Sequence, residues 1–373
     1  VRVAFVDQQG DVAGGAERSL AILLGALPAD IEPRVVLFGD GAYAADLRAR
    51  GLDVTIVPMP PAFLSTTREH PLSGLAAVPR AYAAAARVLR ALHVDAVHTN
   101  TVKAHAIALP AARMAGIPCV AHLRDILTGR GGVAIRGVLA TCSHQRIAIS
   151  HAVARAFGLS ATQVIHNPLV LDEYASLPAR ADARRALGLP TDVALVSMIG
   201  RINRWKGQHR LLRIAAGMRQ RTDIHFAIVG APVFRDADYA DELRAFVAAE
   251  GLGERVHFVS WLDDVRLAFA ATDVNVNCSD DEPFGRTLIE AAACGVPSVA
   301  FASGGTADAM IDGETGRLIA PGDEAAFAAA ITGFVDDRAL AGRTAVAARS
   351  FARAFDAVTH AERVADVLRR VTA

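Results

Sequence analysis

The stretch Ser279-Asp280-Asp281-Glu282-Pro283-Phe284-Gly285-Arg286-Thr287-Leu288-Ile289-Glu290-Ala291-Ala292-Ala293-Cys294-Gly295-Val296-Pro297 lies between two short β-branched apolar runs, 274–277 and 298–301. Its second half reads as a helix, because Gly295 with Pro297 just beyond is the usual punctuation of a helix carboxyl end. A strand, a crossover helix and another strand make one parallel unit. Working outward, the same rhythm recurs. Apolar runs at 193–199, 225–229, 256–259 and 316–319 complete one series, and those at 1–6, 34–38, 54–57, 96–99, 119–122, 147–150 and 164–166 make an earlier one. Such alternation predicts parallel sheets covered by helices.

With 373 residues, the chain is longer than one hydrophobic core usually spans. The expected fold is α/β, with two Rossmann-like, doubly wound parallel-sheet domains whose strand ends face a cleft, the place where such sheets take ligands. The boundaries read as 1–166 for the first domain and 167–354 for the second, with a final Ala-rich helix at about 355–373 free to pack back on the first. Leu20, Leu23, Leu24 and Leu27 recur at helical spacing in the first crossover. The Pro-, Ser- and Thr-rich stretch 58–74 reads as a loop, either a lid or a plain surface excursion.

Hydrophobic residues at 52% and charged residues at 21% describe a folded globular chain. Net charge is zero, yet residues 1–166 hold 16 Arg/Lys against 11 Asp/Glu, so the amino-terminal half is basic. That asymmetry suits either attraction between the domains or an acidic or membrane-surface acceptor. The basic residues are not interleaved with aromatics, which argues against a nucleic-acid partner. Cys119, Cys142, Cys278 and Cys294 show no metal-ligand spacing. No run approaches the roughly 18 apolar residues of a transmembrane segment, and the expected location is cytoplasmic, with peripheral membrane contact open.

The helix beginning near Gly285 offers unpaired backbone N–H groups and a positive dipole end, so it favours phosphate. Glu290, about 7 Å further along the axis, is placed for a ribose, and Glu282 precedes the helix in a loop where it can accept from sugar hydroxyls. The competing reading makes Glu290 a solvated helix residue and Glu282 a loop charge. Arg201 follows the strand at 193–199 and Lys206 comes five residues later. Both can bear charge developing on a departing phosphate without a metal, or they are surface cations. Gly14 and Gly15 allow close backbone approach to a phosphate, though a tight turn explains them equally. The pattern is not Gly-x-Gly-x-x-Gly, which argues against a dinucleotide oxidoreductase. Asp236-Ala237-Asp238 could be a metal triplet but falls inside the second parallel domain, so no metal cofactor is expected. Ser150 reads as a helix cap.

Taken together, these segments resemble family 4 of the retaining glycosyltransferases, which have the GT-B fold. The resemblance rests on Glu282 and Glu290 seven residues apart between Phe284-Gly285 and Gly295-x-Pro297, on Gly14-Gly15-Ala16-Glu17, on Gly200-Arg201 with Lys206-Gly207, and on Gly304-Gly305 followed by Asp308. It implies transfer of a sugar from a nucleotide diphosphate sugar, UDP or GDP favoured, to an acceptor hydroxyl, and makes Arg201, Lys206, Glu282 and His122 catalytic. His122 would touch the transferred sugar, or else be a core histidine. Donor contacts fall on Gly14, Gly15, Leu262, Phe284, Gly285, Arg286, Thr287 and Glu290. Asn100, Lys103, Arg124 and Asp125 follow neighbouring strand ends and could bind the acceptor or be structural. A nucleotide-sugar epimerase and a non-catalytic nucleotide-sugar sensor are the rivals on the same architecture.

Overall fold

The computed structural model describes residues 1–8, 14–59, 78–232 and 236–373. The chain forms two compact units, Val1–Pro168 with Ala357–Ala373, and Leu169–Asp356. In the first unit seven strands pair in parallel in the order β3-β2-β1-β4-β5-β6-β7. They are β1 Arg2–Asp7, β2 Glu32–Leu37, β3 Val54–Ile56, β4 Ala96–Thr99, β5 Cys119–Leu123, β6 Gln145–Ala148 and β7 Thr162–Val164. Val3, Ala4, Phe5 and Val6 are all buried, as a strand covered on both faces requires. The helices are α1 Gly15–Gly25, α2 Ala42–Ala49, α3 Val78–Ala91, α4 Val102–Ala115, α5 Gly129–Cys142 and α6 His151–Phe157. Leu20, Leu23 and Leu24 of α1 share one hydrophobic core with Val3, Phe5, Val120 and Ile147. The loop expected at 58–74 lies, beyond Met59, outside the described residues.

The second unit has six parallel strands in the order β10-β9-β8-β11-β12-β13. They are β8 Ala194–Ile199, β9 Ile224–Val229, β10 Val256–Val259, β11 Val274–Asn277, β12 Ser298–Phe301 and β13 Gly316–Ile319. Its helices are α7 Arg180–Ala186, α8 Gln208–Gly217, α9 Ala237–Ala249, α10 Val265–Ala271, α11 Arg286–Cys294, α12 Thr306–Ala309, α13 Glu324–Asp336 and α14 Arg338–Ala352. Strand order reverses beside β1 in the first unit and beside β8 in the second, the two positions where doubly wound sheets open for ligands.

The last helix, α15 Ala357–Thr372, belongs to the first unit and lays Ala361, Val364, Ala365, Val367 and Leu368 into its core. Expected strand 147–150 begins and ends two residues earlier, at Gln145–Ala148. The reason is Ser150, whose Oγ accepts from the Val153 N–H at 3.0 Å and so starts α6.

Candidate active site

In the second unit, three adjacent strand ends build one cluster. After β8 comes Gly200 in a positive-φ conformation, then Arg201, then a single 3-10 turn Arg204–Lys206 capped by Asn203, whose Oδ1 accepts from the Trp205 N–H at 3.2 Å. Gly207 follows with φ +81°, and a Cβ there would lie 2.2 Å from the Cys278 carbonyl oxygen. Only glycine lets this turn lie against the loop after β11. The Asp280 N–H donates to the Trp205 carbonyl at 2.7 Å, stitching the two loops again.

That second loop holds Glu282. The residue is 4% exposed, and its carboxylate accepts from Lys206 Nζ at 2.8 Å and from Asn277 Nδ2 at 3.3 Å. Burial pushes the carboxyl pKa up, but the Lys206 charge and the hydrogen bonds outweigh it and hold the group below the usual carboxylate range. Glu282 is therefore ionised at neutral pH. Lys206 also lies over the Trp205 ring, 4.2 Å from its centroid.

The loop after β12 supports Glu282 from behind. The Gly305 N–H donates to the Glu282 carbonyl at 2.6 Å, and the Asp281 N–H to Ser303 Oγ at 2.8 Å. Gly304 has φ +61°, and a Cβ on it would sit 2.2 Å from the Glu282 carbonyl oxygen. Asp281 itself has a positive φ of 43°, a conformation uncommon for a residue with a side chain.

Gly285, at φ +98°, turns the chain into α11 without a side-chain cap. Glu290 lies on that helix, buried, and pairs with Arg286 at 3.0 Å across one turn. It is not the solvated helix residue of the competing reading. Thr287 is half-buried at the helix start. Phe284 is 1% exposed and packs edge-on against Phe355 at 5.8 Å, so its ring anchors the loop in the core and is closed to a ligand. Leu262, half-buried, follows the edge strand β10, and its neighbour Trp261 is 51% exposed. Asp236 precedes α9 and accepts from Asn203 Nδ2 at 2.7 Å.

In the first unit, a buried polar network crosses the strand ends. Asp7, at the end of β1, accepts from the Gln8 N–H at 2.6 Å, Asn100 Nδ2 at 2.8 Å and Thr101 Oγ1 at 2.9 Å. Burial raises its carboxyl pKa against the pull of these bonds. Arg124 donates to Asn100 Oδ1 and to Asn167 Oδ1, both at 2.6 Å. Lys103 and Asp125 are half-buried nearby in sequence, on α4 and after β5. Gly14 and Gly15 open α1 with no side-chain cap, and the residues 9–13 before them lie outside the described ones. A Cβ on Gly14 would meet only the flexible Glu17 carboxylate, so crowding does not demand glycine there.

Two family models divide the chain between them: Glycosyltransferase Family 4 matches residues 13–173, and Glycosyl transferases group 1 matches residues 179–351. The chain belongs to the group 1 glycosyltransferases. A D-inositol 3-phosphate glycosyltransferase of Catenulispora acidiphila is 38% identical over 178 residues, which is 46% of this chain and 42% of that relative. The chain thus spans under half the length of that curated relative. HepE of Anabaena, solved with UDP and glucose, is 29% identical with a TM-score of 0.86 over 98% of this chain and 99% of its own. A structure of HepE with UDP-glucose gives 28% identity and the same TM-score over 99% of both chains. The fold is GT-B.

In this group 1 glycosyltransferase, Lys206, Glu282 and the Gly304-Gly305 turn come together, as do Arg286 and Glu290. His122 does not stand at a strand end. Strand β5 runs one residue further, to Leu123, and alternation puts His122 on the same sheet face as Val120, where His360 of α15 lies over it. It is fully buried, with Nδ1 3.2 Å from His98 Nε2 and its ring stacked on His360 at 6.0 Å. Burial first, and then the Arg124 charge, lower its pKa well below the ordinary histidine value. His122 is thus an interior histidine and is left out of the function proposed below. Asn100 and Arg124 are likewise buried and bonded to each other, which fits scaffold better than acceptor contact. Sequence reasoning missed Asp7, Asn167 and Asn277. Asp7 and Asn277 each end a strand, which was the available signal; nothing in the sequence marked Asn167.

Proposed function

We propose that this chain transfers a sugar from a nucleotide diphosphate sugar to an acceptor hydroxyl with retention of anomeric configuration. The observation that carries the reading is the pair of half-buried Lys206 with buried Glu282, held by two glycine turns beside an α11 start that has no side-chain cap. A pyrophosphate arriving there meets a cation, the exposed Arg201 guanidinium and helix amides. The bond between the anomeric carbon and the β-phosphate oxygen breaks, and the electron pair leaves with the nucleoside diphosphate. Arg201, Lys206 and the Gly285–Thr287 backbone carry that negative charge, a task that otherwise falls to a metal ion.

Glu282, being ionised, acts as an acceptor for sugar hydroxyls and not as an acid. Glu290, fixed by Arg286, accepts from the ribose. The acceptor oxygen forms the new bond on the face the phosphate leaves, and its proton passes to the leaving phosphate oxygen. The HepE complexes support UDP as the nucleotide.

The test is UDP release from UDP-glucose, with and without candidate hydroxyl acceptors, an inositol phosphate among them because of the name of the relative cited above. Acceptor-dependent release, unaffected by a chelator, is expected. Sugar conversion without any acceptor points to an epimerase, binding without turnover to a sensor, and no thermal shift with UDP-, GDP-, ADP- or TDP-sugars at millimolar concentration overturns the donor site.

A further inference from the structure

Outside the strand ends, the first unit has a surface of one sign. Helices α3, α4 and α5 pack side by side, and together they carry seven Arg/Lys and no Asp/Glu. Arg80, Arg87, Arg90, Arg113, Arg130 and Arg136 are exposed. Among the described residues none of these six guanidiniums meets a carboxylate; Arg90 and Arg136 donate to the Met114 and Gly158 carbonyls at 2.7 and 3.5 Å, which leaves their charge uncompensated. Elsewhere in the same unit several surface arginines are neutralised, with Arg34 on Asp53, Arg48 on Asp40 and Arg50 on Asp46, while Arg363 and Arg370 of α15 donate to the Val164 carbonyl and to Gln163 Oε1. Most of the exposed, uncompensated positive charge of the amino-terminal half therefore lies on one helical layer.

The same layer exposes apolar side chains. Val133 is 72% exposed and Met114 59%, and α5 buries only Leu139 among its own residues. Among the described residues nothing covers them. The layer carries no exposed aromatic ring on which a base could stack, since Tyr82 is half-buried. Unpaired cations around protruding aliphatic groups match an interface of anionic headgroups over acyl chains.

We propose that the α3-α4-α5 layer docks this protein on an anionic phospholipid surface, with the six arginines on headgroups and Val133 and Met114 reaching the acyl boundary. No helix among the described residues is long and apolar enough to cross a membrane, so this contact is peripheral. The proposal does not rest on the transfer reading; a chain without transferase activity that binds these vesicles leaves docking standing.

Each cation brought to an anionic surface contributes about a fivefold gain in binding. The full chain is mixed with vesicles of phosphatidylcholine alone or with phosphatidylglycerol and sedimented. Binding to the mixed vesicles is expected to be at least about tenfold tighter and to weaken with salt. Combined Arg80→Glu, Arg87→Glu and Arg113→Glu is expected to remove at least about tenfold of that binding, and Val133→Asp to reduce it further. Reversing the exposed Arg338 and Arg343 of the other unit should leave it unchanged. Because charge reversal could disturb folding, the melting temperature of each variant is measured, and the corresponding Arg→Gln set is expected to show the same loss at unchanged melting. Equal binding to neutral vesicles, undiminished binding by the triple variant, or tighter binding to a single-stranded oligonucleotide than to mixed vesicles overturns the proposal.

Discussion

At the scale of single residues, Lys206 is the group on which most depends, because it touches Glu282 and the Trp205 ring at once. Lys206→Ala removes one fixed cation from the proposed leaving-group site, a loss of the order of 10²-fold in turnover. It also leaves Glu282 buried without its cation, so its pKa should rise. Steady-state rates across pH therefore separate the effects: turnover of the variant should fall further on the acid side than that of the parent, and a parallel profile with near-normal turnover would remove Lys206 from the mechanism. Trp205→Ala should weaken turnover by less, and Trp205→Phe should restore it, since a ring of either kind holds the ammonium. Much of this cluster was legible in the sequence. Glycines, cations and glutamates at set distances from strand ends marked Lys206, Glu282 and Glu290. What the sequence could not show was which of them bond to each other, because the Lys206–Glu282 pair spans 76 positions. His122 was misplaced for a different reason: the sequence could not show that α15, 238 residues on, returns to cover its face of β5 with His360.

At the scale of elements, the glycine turns decide whether the site exists. A Cβ on Gly304 would collide with backbone, not with a movable side chain, and φ +61° disfavours any L residue. Gly304→Ala should displace the Glu282 loop, lower the melting temperature, and abolish the thermal shift given by UDP; a variant that still binds UDP normally would show that the loop tolerates the move. Helix α4 gives a different handle. His105 is buried, with Nδ1 2.7 Å from Thr99 Oγ1, and burial lowers its pKa to about 3. Below the unfolded value near 6.5 the unfolded chain binds a proton that the folded chain refuses, so stability is full above that pH and is lost as pH falls toward about 3. Between pH 6.5 and 5 the loss is about 2 kcal/mol, or roughly 4–8 °C in a unit of this size. Thermal melts at pH 7 and pH 5 measure it, and His105→Gln should show a smaller drop. The elements themselves were readable because parallel strands, buried on both faces, appear as apolar runs. Their ends were less so: the strand read at 147–150 overran the Ser150 cap of α6, and β6 stops at Ala148.

At the scale of the whole molecule, the chain crosses from the first unit to the second at Pro168 and returns at Asp356, and the two crossings run side by side. Leu169 N–H donates to the Phe355 carbonyl at 2.7 Å, with Leu169 and Asp356 bridged in parallel. The second unit is thus closed at its own ends, whereas the first waits for residues 357–373. Val364, Val367 and Leu368 enter the core of the first unit, and burying three such side chains stabilises by about 5–9 kcal/mol as an upper bound. That is comparable with the whole stability of a domain, about 5–15 kcal/mol. The exposed Arg369–Asp30 pair adds little beside it. Ending the chain after Asp356 should therefore unfold the first unit and spare the second. Hydrogen exchange is expected to show β1, β4 and β5 losing protection while β8 and β11 keep theirs, with UDP still slowing exchange at Lys206 and in α11. Unchanged protection in β1 would mean that the final helix is an accessory to a core already complete without it.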